Sequence, residues 1–470
     1  MRWWALVAVT LGTFMTYLDN NVGNVALPTI QRDLGLTISG LEWIVSSYIL
    51  VFAGLMLVGG RLADVFGARR VFLGGLTIFT LSSLAAGLAT SGGMLIGARA
   101  VQGVGAALLT PTALALIGQI FPDPAERGRA VGIWSASGAL SMALGPAAGG
   151  FISENLHWGW IYLINVPIGL ATLGLALWAV RPAFERVRHN LDLPGLATSA
   201  IALFALTYAL IEGQAAGWTS PEILAAFGVF AAAAVAFVLA ESRAAEPMIV
   251  MSLFRSRVFT GGLLTSGIWS FGVFGIYFFS ALWLQNVLGF SPTEAGGAFV
   301  PMALVMFVIA LLSQSISAAI GIGRTVALGM ALMGSAIFLI SRVGADGDYA
   351  DVAPWFILYG LGGGMLVPLT AAILNGMPKE RSGVASGMLN VSREVFGLLG
   401  ITVLGAFLSA RQSASDQAPL PAFLDAYQFT LVIAAVVVLA AIPVALHSLR
   451  PAPMERDDEP QAAATVGSSN

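Results

Sequence analysis

The feature that most constrains this chain is the length of its apolar runs, which exceeds what a water-soluble domain can bury. Of the 470 residues, 57% are hydrophobic and only 10% are charged, whereas soluble proteins carry about 25% charged residues. So few polar groups cannot cover a soluble fold. An outer-membrane barrel would show segments of about 10 alternating residues, but these runs are long and unbroken. The sequence therefore predicts an all-α integral membrane protein.

A helix needs about 20 mostly apolar residues to cross a bilayer, and fourteen runs meet this requirement. The fourteen predicted spans are Trp4–Ala26, Trp43–Gly60, Val71–Thr90, Met94–Phe121, Ala130–Ile152, Trp160–Val180, Leu193–Ile211, Ile223–Ala240, Val258–Val287, Ala295–Ile320, Thr325–Ile340, Val352–Asn375, Ala385–Ala410 and Tyr427–Leu446.

The distribution of positive charge predicts the orientation of the spans, because cytoplasmic loops are enriched in Lys and Arg. With a cytoplasmic N-terminus, seventeen of the 22 Lys and Arg residues fall on the cytoplasmic side, three on the outside and two within spans. Fourteen spans return the C-terminus to the cytoplasm, where the polar tail 451–470 is expected to be disordered.

Composition also excludes several kinds of site. The chain has no cysteine and three widely separated histidines, so we expect no disulfide, no metal site and no cofactor. The net charge of −3 offers no attraction for nucleic acid.

The sequence contains an internal repeat. Gly103–Pro111 matches Gly360–Pro368, and Glu126 and Arg127 match Glu380 and Arg381. Two parallel repeats are typical of transporters built from two like bundles, although small-residue helix packing alone also favours glycine patterns. The predicted regions are a six-helix bundle at 1–180, an inserted helix pair at 181–257 that packs peripherally, a second six-helix bundle at 258–450, and the tail.

Ionisable residues inside spans are costly and are candidates for function. Asp19 is interpreted as the only carboxylate deep within a span, and Arg99 lies at a similar depth in the fourth span. A carboxylate there is suited to loading and releasing a proton, because desolvation and a nearby arginine shift its proton affinity in opposite directions. The alternative is a static ion pair that ties two helices together. Arg393 and Glu394 are placed near the inner end of span 13, as an intrahelical pair, a gate contact or transport residues.

Two polar segments flank these charges. Asn20, Asn21 and Asn24 follow Asp19 and indicate either a polar cavity or hydrogen bonds between helices. The loop between spans 2 and 3 contains a second set of candidates, in which glycines permit a tight turn and close approach and the arginines either bind lipid phosphate or follow the charge rule. This second set comprises Gly60, Asp64, Gly67, Arg69 and Arg70.

The fifth span has a proline and glycine pattern of its own. Pro146 removes an internal hydrogen bond and kinks the helix, while Gly145, Gly149 and Gly150 form a smooth face on which a neighbouring helix can slide. The alternative is an ordinary proline-kinked helix.

These motifs resemble those of the major facilitator superfamily, specifically its fourteen-helix drug:proton antiporter branch. The matching segments are Leu18–Pro28, Gly60–Arg70, Arg99–Gly105 and Ser141–Gly150. The resemblance implies that Asp19 and Arg99 couple transport to protons, that the loop after span 2 and the glycines of span 5 form gates, and that two bundles rock about a central substrate cavity.

The substrate cavity is expected between the bundles at mid-membrane, although any single aromatic candidate can equally face lipid or the core. The candidate lining residues are Asn20, Asn21, Asn24, Gln102, Trp134, Asn165, Trp269, Phe274, Tyr277 and Asn390.

The function expected from these features is multidrug efflux, in which a monomer in a bacterial inner membrane exchanges amphipathic cationic or neutral compounds for protons. The partners are then the small-molecule substrate, protons and the lipid bilayer. The alternative within transport is a dedicated exporter of one endogenous metabolite, or a uniporter. A membrane enzyme or a channel is disfavoured, because the sequence contains no Walker loop and no pore-forming segment.

Overall fold

The computed structural model describes residues 1–181, 192–244, 251–375 and 382–449, and these fold into α-helices with one short 3₁₀ turn at Met251–Arg255. The helices are α1 (Arg2–Leu34), α2 (Ile38–Phe66), α3 (Ala68–Gly87), α4 (Gly92–Ile120), α5 (Pro124–Asn155), α6 (Trp160–Leu163), α7 (Asn165–Ala179), α8 (Leu193–Ala216), α9 (Pro221–Arg243), α10 (Arg257–Asn286), α11 (Pro292–Ala298), α12 (Val300–Ile320), α13 (Ile322–Ile340), α14 (Tyr349–Gly364), α15 (Val367–Asn375), α16 (Ser382–Ser413) and α17 (Pro419–Ser448). The predicted tail 451–470 lies outside the described residues.

Twelve helical units in the described residues are long and apolar enough to cross a membrane, where α6 with α7, α11 with α12, and α14 with α15 each count as one. The predicted count of fourteen spans is therefore not confirmed. The two remaining long helices are α1 and α5, which contain 33 and 32 residues. Their hydropathy is lowered by the polar segment after Asp19 in α1, and by glycines, serines and terminal charges in α5.

Several helices in the structure end at residues other than the predicted span ends, and the differences lie near prolines and glycines. Helix α1 continues through Pro28 to Leu34, so it extends beyond the predicted end at Ala26. The two copies of the repeat also differ. Helix α4 runs unbroken through Pro111, whereas the corresponding unit is interrupted between Gly364 and Val367, after three consecutive glycines.

The helices form two halves that use the same packing scheme. In the first half α1 packs on α5, and α2 and α3 pack on α4; in the second half α10 packs on α16, and α12 and α13 pack on α14. The repeated glycines occupy equivalent contacts. A Cβ atom on Gly103 would run into the carbonyl oxygen of Tyr48 in α2, and one on Gly360 would run into that of Met302 in α12. Close helix approach at matched positions thus accounts for the repeated glycine pattern.

One end of the bundle carries several arginines that join neighbouring helix ends. Arg2 pairs with Glu126 at 2.9 Å, and Arg69 donates to the carbonyl oxygen of Leu177 at 3.1 Å. We call this end the arginine face and the opposite end, where α1 finishes, the far face. At the far face the indole of Trp158 donates to Asp33 at 2.6 Å.

Helices α8 and α9 form a hairpin on the outside of the two halves. Helix α8 packs against α2 of the first half and α16 of the second, while α9 packs mainly on α8. Glu212 at the end of α8 accepts hydrogen bonds from Ser39 at 3.1 Å and from Trp43 at 2.7 Å. The hairpin is therefore attached to α2 by polar contacts at the far face.

Single glycines make the turns at the arginine face in both halves. Gly67 joins α2 to α3 at a φ of 89°, and Gly321 joins α12 to α13 at a φ of 88°. Each glycine N–H donates to a carbonyl oxygen of the preceding helix, that of Ala63 or Ser317. A side chain is strained in this region of backbone space, so the connection requires glycine.

We expect Gly67→Ala to lower the stability of the folded protein by about 1–3 kcal/mol, the usual range for a residue forced into this region. The measurement is the midpoint of thermal unfolding of purified protein in detergent. Gly74→Ala is the matched control, because no atom lies within 4 Å of its added Cβ and alanine favours helix. Equal midpoints for the two variants would contradict the role assigned to Gly67.

Candidate functional site

The carboxylate of Asp19 lies at the centre of a polar cluster inside the first half. Asp19 sits near the middle of α1, about 25 Å along the helix from Arg2, and it is only 2% exposed. Its Oδ2 accepts from the Arg99 guanidinium, and its Oδ1 accepts from Gln102 at 2.8 Å and Asn165 at 2.9 Å. Three donors from α4 and α7 therefore surround one buried carboxylate.

Arg99 is held in place from several sides. Its Nη1 donates to both Asp19 and Gln102, and its Nε donates to the carbonyl oxygen of Ile44 at 3.3 Å. The guanidinium carbon also lies 4.2 Å from the centre of the Tyr48 ring and 5.5 Å from that of Tyr162. Cation–π contacts of this kind stabilise a desolvated cation, so both charges of the pair are compensated inside the protein.

Gln102 and Asn165, two of the predicted cavity residues, belong to this cluster in the present conformation. Both are fully buried. Gln102 links Asp19 to the hydroxyl of Ser83 at 2.8 Å, which extends the cluster to α3. The Oδ1 atom of Asn165 is buried without a hydrogen-bond partner, which leaves one hydrogen-bond acceptor open beside the ion pair.

A separate cavity of about 460 Å³ lies between the two halves. It contains three of the predicted lining residues, Trp134, Trp269 and Asn390. The full set of lining residues is Tyr17, Leu114, Trp134, Gly138, Ser266, Trp269, Ala303, Met306, Phe307, Ala310, Gly363, Leu366, Val367, Leu369, Thr370, Ser386, Asn390 and Arg393. Aromatic and aliphatic groups dominate this wall, which suits an amphipathic compound.

The other predicted cavity residues do not line this space. Tyr277 is buried and stacks on Phe299 at a centroid distance of 5.0 Å, and Phe274 packs beside Gly397. Asn21 donates to the carbonyl oxygen of Tyr17 at 2.7 Å. Asn20 and Asn24 are half-buried and lie outside the cavity lining.

The far side of the cavity is closed by glycines that bring α5 and α11 into backbone contact. A Cβ atom on Gly150 would run into the carbonyl oxygen of Pro292, and one on Gly296 would run into that of Pro146. On an adjacent face of α5, about 100° around the helix, Gly145 and Gly149 pack directly on α1. The glycine face predicted for the fifth span therefore lies between α1 and the second half.

Two further contacts join the halves toward the far face. Gln285 of α10 donates to the carbonyl oxygen of Val25 at 2.7 Å. The carboxylate of Glu42 in α2 fills the space where a side chain at Gly405 of α16 would lie. We call these contacts, together with the α5–α11 contact, the far seal. The cavity is thus separated from the far face.

The loop after α2 only partly follows the sequence-based interpretation. Gly67 makes the predicted tight turn, but Gly60 lies inside α2 and an added Cβ would make an ordinary 3.8 Å contact with Pro111. The close approach is made instead by Gly59, whose Cβ would run into the carbonyl oxygen of Ala107. Arg69 binds the end of α7, Arg70 lies in the first turn of α3, and the Asp64 side chain lies outside the described set.

Arg393 and Glu394 lie deeper than the sequence analysis placed them. Helix α16 begins at Ser382, so Glu394 is about 18 Å along it and is a second carboxylate well inside a span. The statement that Asp19 alone has this depth is therefore wrong. The helix begins three residues before the predicted start of the span at Ala385, which accounts for part of the difference in depth.

Comparison with known proteins identifies relatives over almost the full chain. The sequence matches the Major Facilitator Superfamily over residues 9–401. It is 37% identical to the methylenomycin A resistance protein of Streptomyces coelicolor, over 87% of this chain and 86% of that protein. It is 38% identical to a cephamycin export protein of Amycolatopsis lactamdurans, over 85% and 84%, and 35% identical to a multidrug resistance protein of Mycobacterium tuberculosis, over 87% and 76%.

Solved structures of transporters share the fold. A bacterial homologue of the human lysosomal transporter Spinster, in an inward-facing and unoccupied conformation, superposes with a TM-score of 0.67 at 17% identity, over 95% of this chain and 96% of that chain. A peptide transporter in complex with sulfate gives a TM-score of 0.68 at 16% identity, with the same coverage. At this level of identity the likeness concerns the arrangement of helices.

We expect Arg99→Gln to destabilise the protein by about 3–5 kcal/mol, because it leaves Asp19 buried without its counter-charge. The double variant Asp19→Asn with Arg99→Gln removes both charges, so it should recover part of this loss. The measurement is a double-mutant cycle on thermal unfolding midpoints. Simple additivity of the two single changes would show that the pair does not act as a unit.

Proposed function

Because the chain belongs to the Major Facilitator Superfamily, we propose that it is a proton-coupled exporter of amphipathic drugs or other toxic small molecules. It is a multi-pass membrane protein and a transporter rather than an enzyme. Three of its relatives are drug-resistance or antibiotic-export proteins by name. These relatives support export, and the proton coupling is our own inference from the cluster around Asp19.

The observation that carries the proposal is a cavity between two like halves that is closed on one side. The far seal separates this cavity from the far face through backbone contacts between α5 and α11. A substrate entering from the arginine face would reach an apolar, aromatic wall. Rocking of the halves would break the far seal and form a matching closure at the arginine face, which is the alternating-access arrangement of two-repeat transporters.

Asp19 is proposed as the proton carrier and Arg99 as its partner. In the present conformation the carboxylate is held by three donors. A proton bound to Asp19 would replace the ionic contact with Arg99, so protonation is linked to a rearrangement of α1 against α4. Helix α1 also forms part of the far seal through Val25. A movement of α1 that follows protonation of Asp19 would therefore also change that seal.

We propose that α1 and α5 also cross the bilayer, giving fourteen spans, because Asp19 of α1 and Ser137, Ser141 and Ser153 of α5 are buried inside the protein and need no water as a partner. The arginine face is then cytoplasmic, in a bacterial inner membrane with both termini inside. The transporter acts as a monomer and needs no cofactor beyond the proton gradient.

We expect Asp19→Asn to abolish uphill export while substrate exchange down a gradient survives. The amide keeps the size of the side chain but carries no titratable proton. The measurement is proton-driven transport in proteoliposomes with an imposed pH gradient, using drugs for which the parent confers resistance. Asp425→Asn is the matched control, because Asp425 forms an exposed ion pair with Arg411.

Two outcomes would contradict parts of this proposal. If Asp19→Asn concentrates drug as well as the parent does, Asp19 is structural and the coupling site lies elsewhere. If the parent itself transports drug without a pH gradient and never against its concentration gradient, the protein is a uniporter. Size-exclusion chromatography of each variant separates loss of coupling from loss of fold.

We expect single cysteines at positions 69 and 127 to resist an impermeant thiol reagent added to intact cells, while cysteines at 342 and 411 are labelled. The chain contains no native cysteine, so each label reports one position. The physical reason is the excess of Lys and Arg on the cytoplasmic side. Labelling at position 69 in intact cells would reverse the proposed orientation.

A further inference from the structure

Arg393 is the one charged side chain among the described residues that line the central cavity. It projects from α16 near mid-membrane, where an unpaired charge is costly and is retained for function. All other lining residues are apolar, aromatic, hydroxyl or amide groups. The net charge presented to a bound compound is therefore positive.

The guanidinium of Arg393 is fixed by neutral groups of two other helices. Its Nε donates to the hydroxyl of Ser266 in α10, and its Nη2 donates to the hydroxyl of Thr370 in α15, both at 2.8 Å. Its central carbon lies 5.4 Å from the centre of the Trp269 ring. These partners orient the group without neutralising it, and Nη1 makes no hydrogen bond within the described part of the chain.

Neither nearby carboxylate cancels this charge by direct contact. Within the described residues Glu394 forms no ion pair with Arg393, and its Oε2 is buried without a donor. Successive residues of an α-helix point about 100° apart, and Glu394 is not among the residues that line the cavity, so its carboxylate acts on the guanidinium from beyond ion-pair distance. Asp19 is enclosed by its own three donors and does not line the cavity.

We propose that Arg393 binds an acidic group of the exported compound, so that the substrates of this cavity are amphipathic anions such as aromatic carboxylates. The planar fork of a guanidinium suits a carboxylate, and Nη1 is the donor left open for it. The apolar body of the compound would lie against Trp134, Met306 and Phe307. This class differs from the cationic or neutral compounds expected from the sequence, and it rests on the proposed function.

The test compares an acid with its ester, dansylglycine and dansylglycine methyl ester, which differ at one group. Binding is measured by dansyl fluorescence to purified protein in phosphatidylcholine nanodiscs, where no anionic lipid competes for the arginine. We expect the parent to bind the acid about tenfold more tightly than the ester, in line with one charge-assisted hydrogen bond.

Arg393→Gln should remove this preference by weakening the acid about tenfold and leaving the ester within about twofold. Arg393→Lys should restore part of the preference, because it restores the charge without the fork. Arg411→Gln is the matched control, since Arg411 is exposed and lies outside the cavity lining. Thr370→Val, which removes one orienting hydroxyl, should give an intermediate loss.

Equal affinity of the parent for acid and ester, or no binding of the acid, overturns the proposal. Equal weakening of both compounds by Arg393→Gln also overturns it, because the arginine would then be structural. Binding in nanodiscs needs no proton gradient, so failure of proton-driven export in proteoliposomes would reject the proposed function while leaving this result standing.

Discussion

The ion pair between Asp19 and Arg99 is the interaction on which the arrangement of the first half depends. Burying either charge alone is strongly unfavourable, so α1 and α4 must meet at these two residues. Gln102 and Asn165 then complete the carboxylate's hydrogen bonds, which draws α7 to the same point. Because its hydrogen bonds and its counter-charge are supplied inside the protein, the carboxylate of Asp19 can lie buried in the middle of α1.

The second half has no comparable pair among its described residues, and its charge is exposed to the cavity instead. Arg393 is oriented by hydroxyl groups and an indole rather than by a carboxylate. The two repeats therefore share helix packing and glycine contacts but differ in their ionisable groups. With this difference, the first half would bind and release protons, and the second half would present a positive charge to the substrate.

Glycine contacts connect these two regions mechanically. Helix α5 packs on α1 through Gly145 and Gly149 and on α11 through Gly150. Backbones in direct contact leave no flexible side chain to absorb a displacement, so a shift of α1 must be transmitted across α5 or must break the contact. A rearrangement at Asp19 is thus well placed to change the far seal, because Val25 lies less than two turns away along the same helix.

The sequence by itself determined the membrane class, the repeat and the candidate charges, because hydropathy, spacing and the cost of a buried charge are local properties. Only the tertiary structure decided which face each polar residue presents, since an amide such as Gln102 can equally line a cavity or bind a carboxylate. The same holds for helix ends. Helices α1 and α4 continue through Pro28 and Pro111, whereas the helix before Val367 is interrupted after three glycines. Packing against neighbouring helices decides whether a helix continues at such residues. The tertiary structure likewise places Arg393 at the cavity, because the position and direction of its side chain depend on where α16 begins and on which helices pack around it.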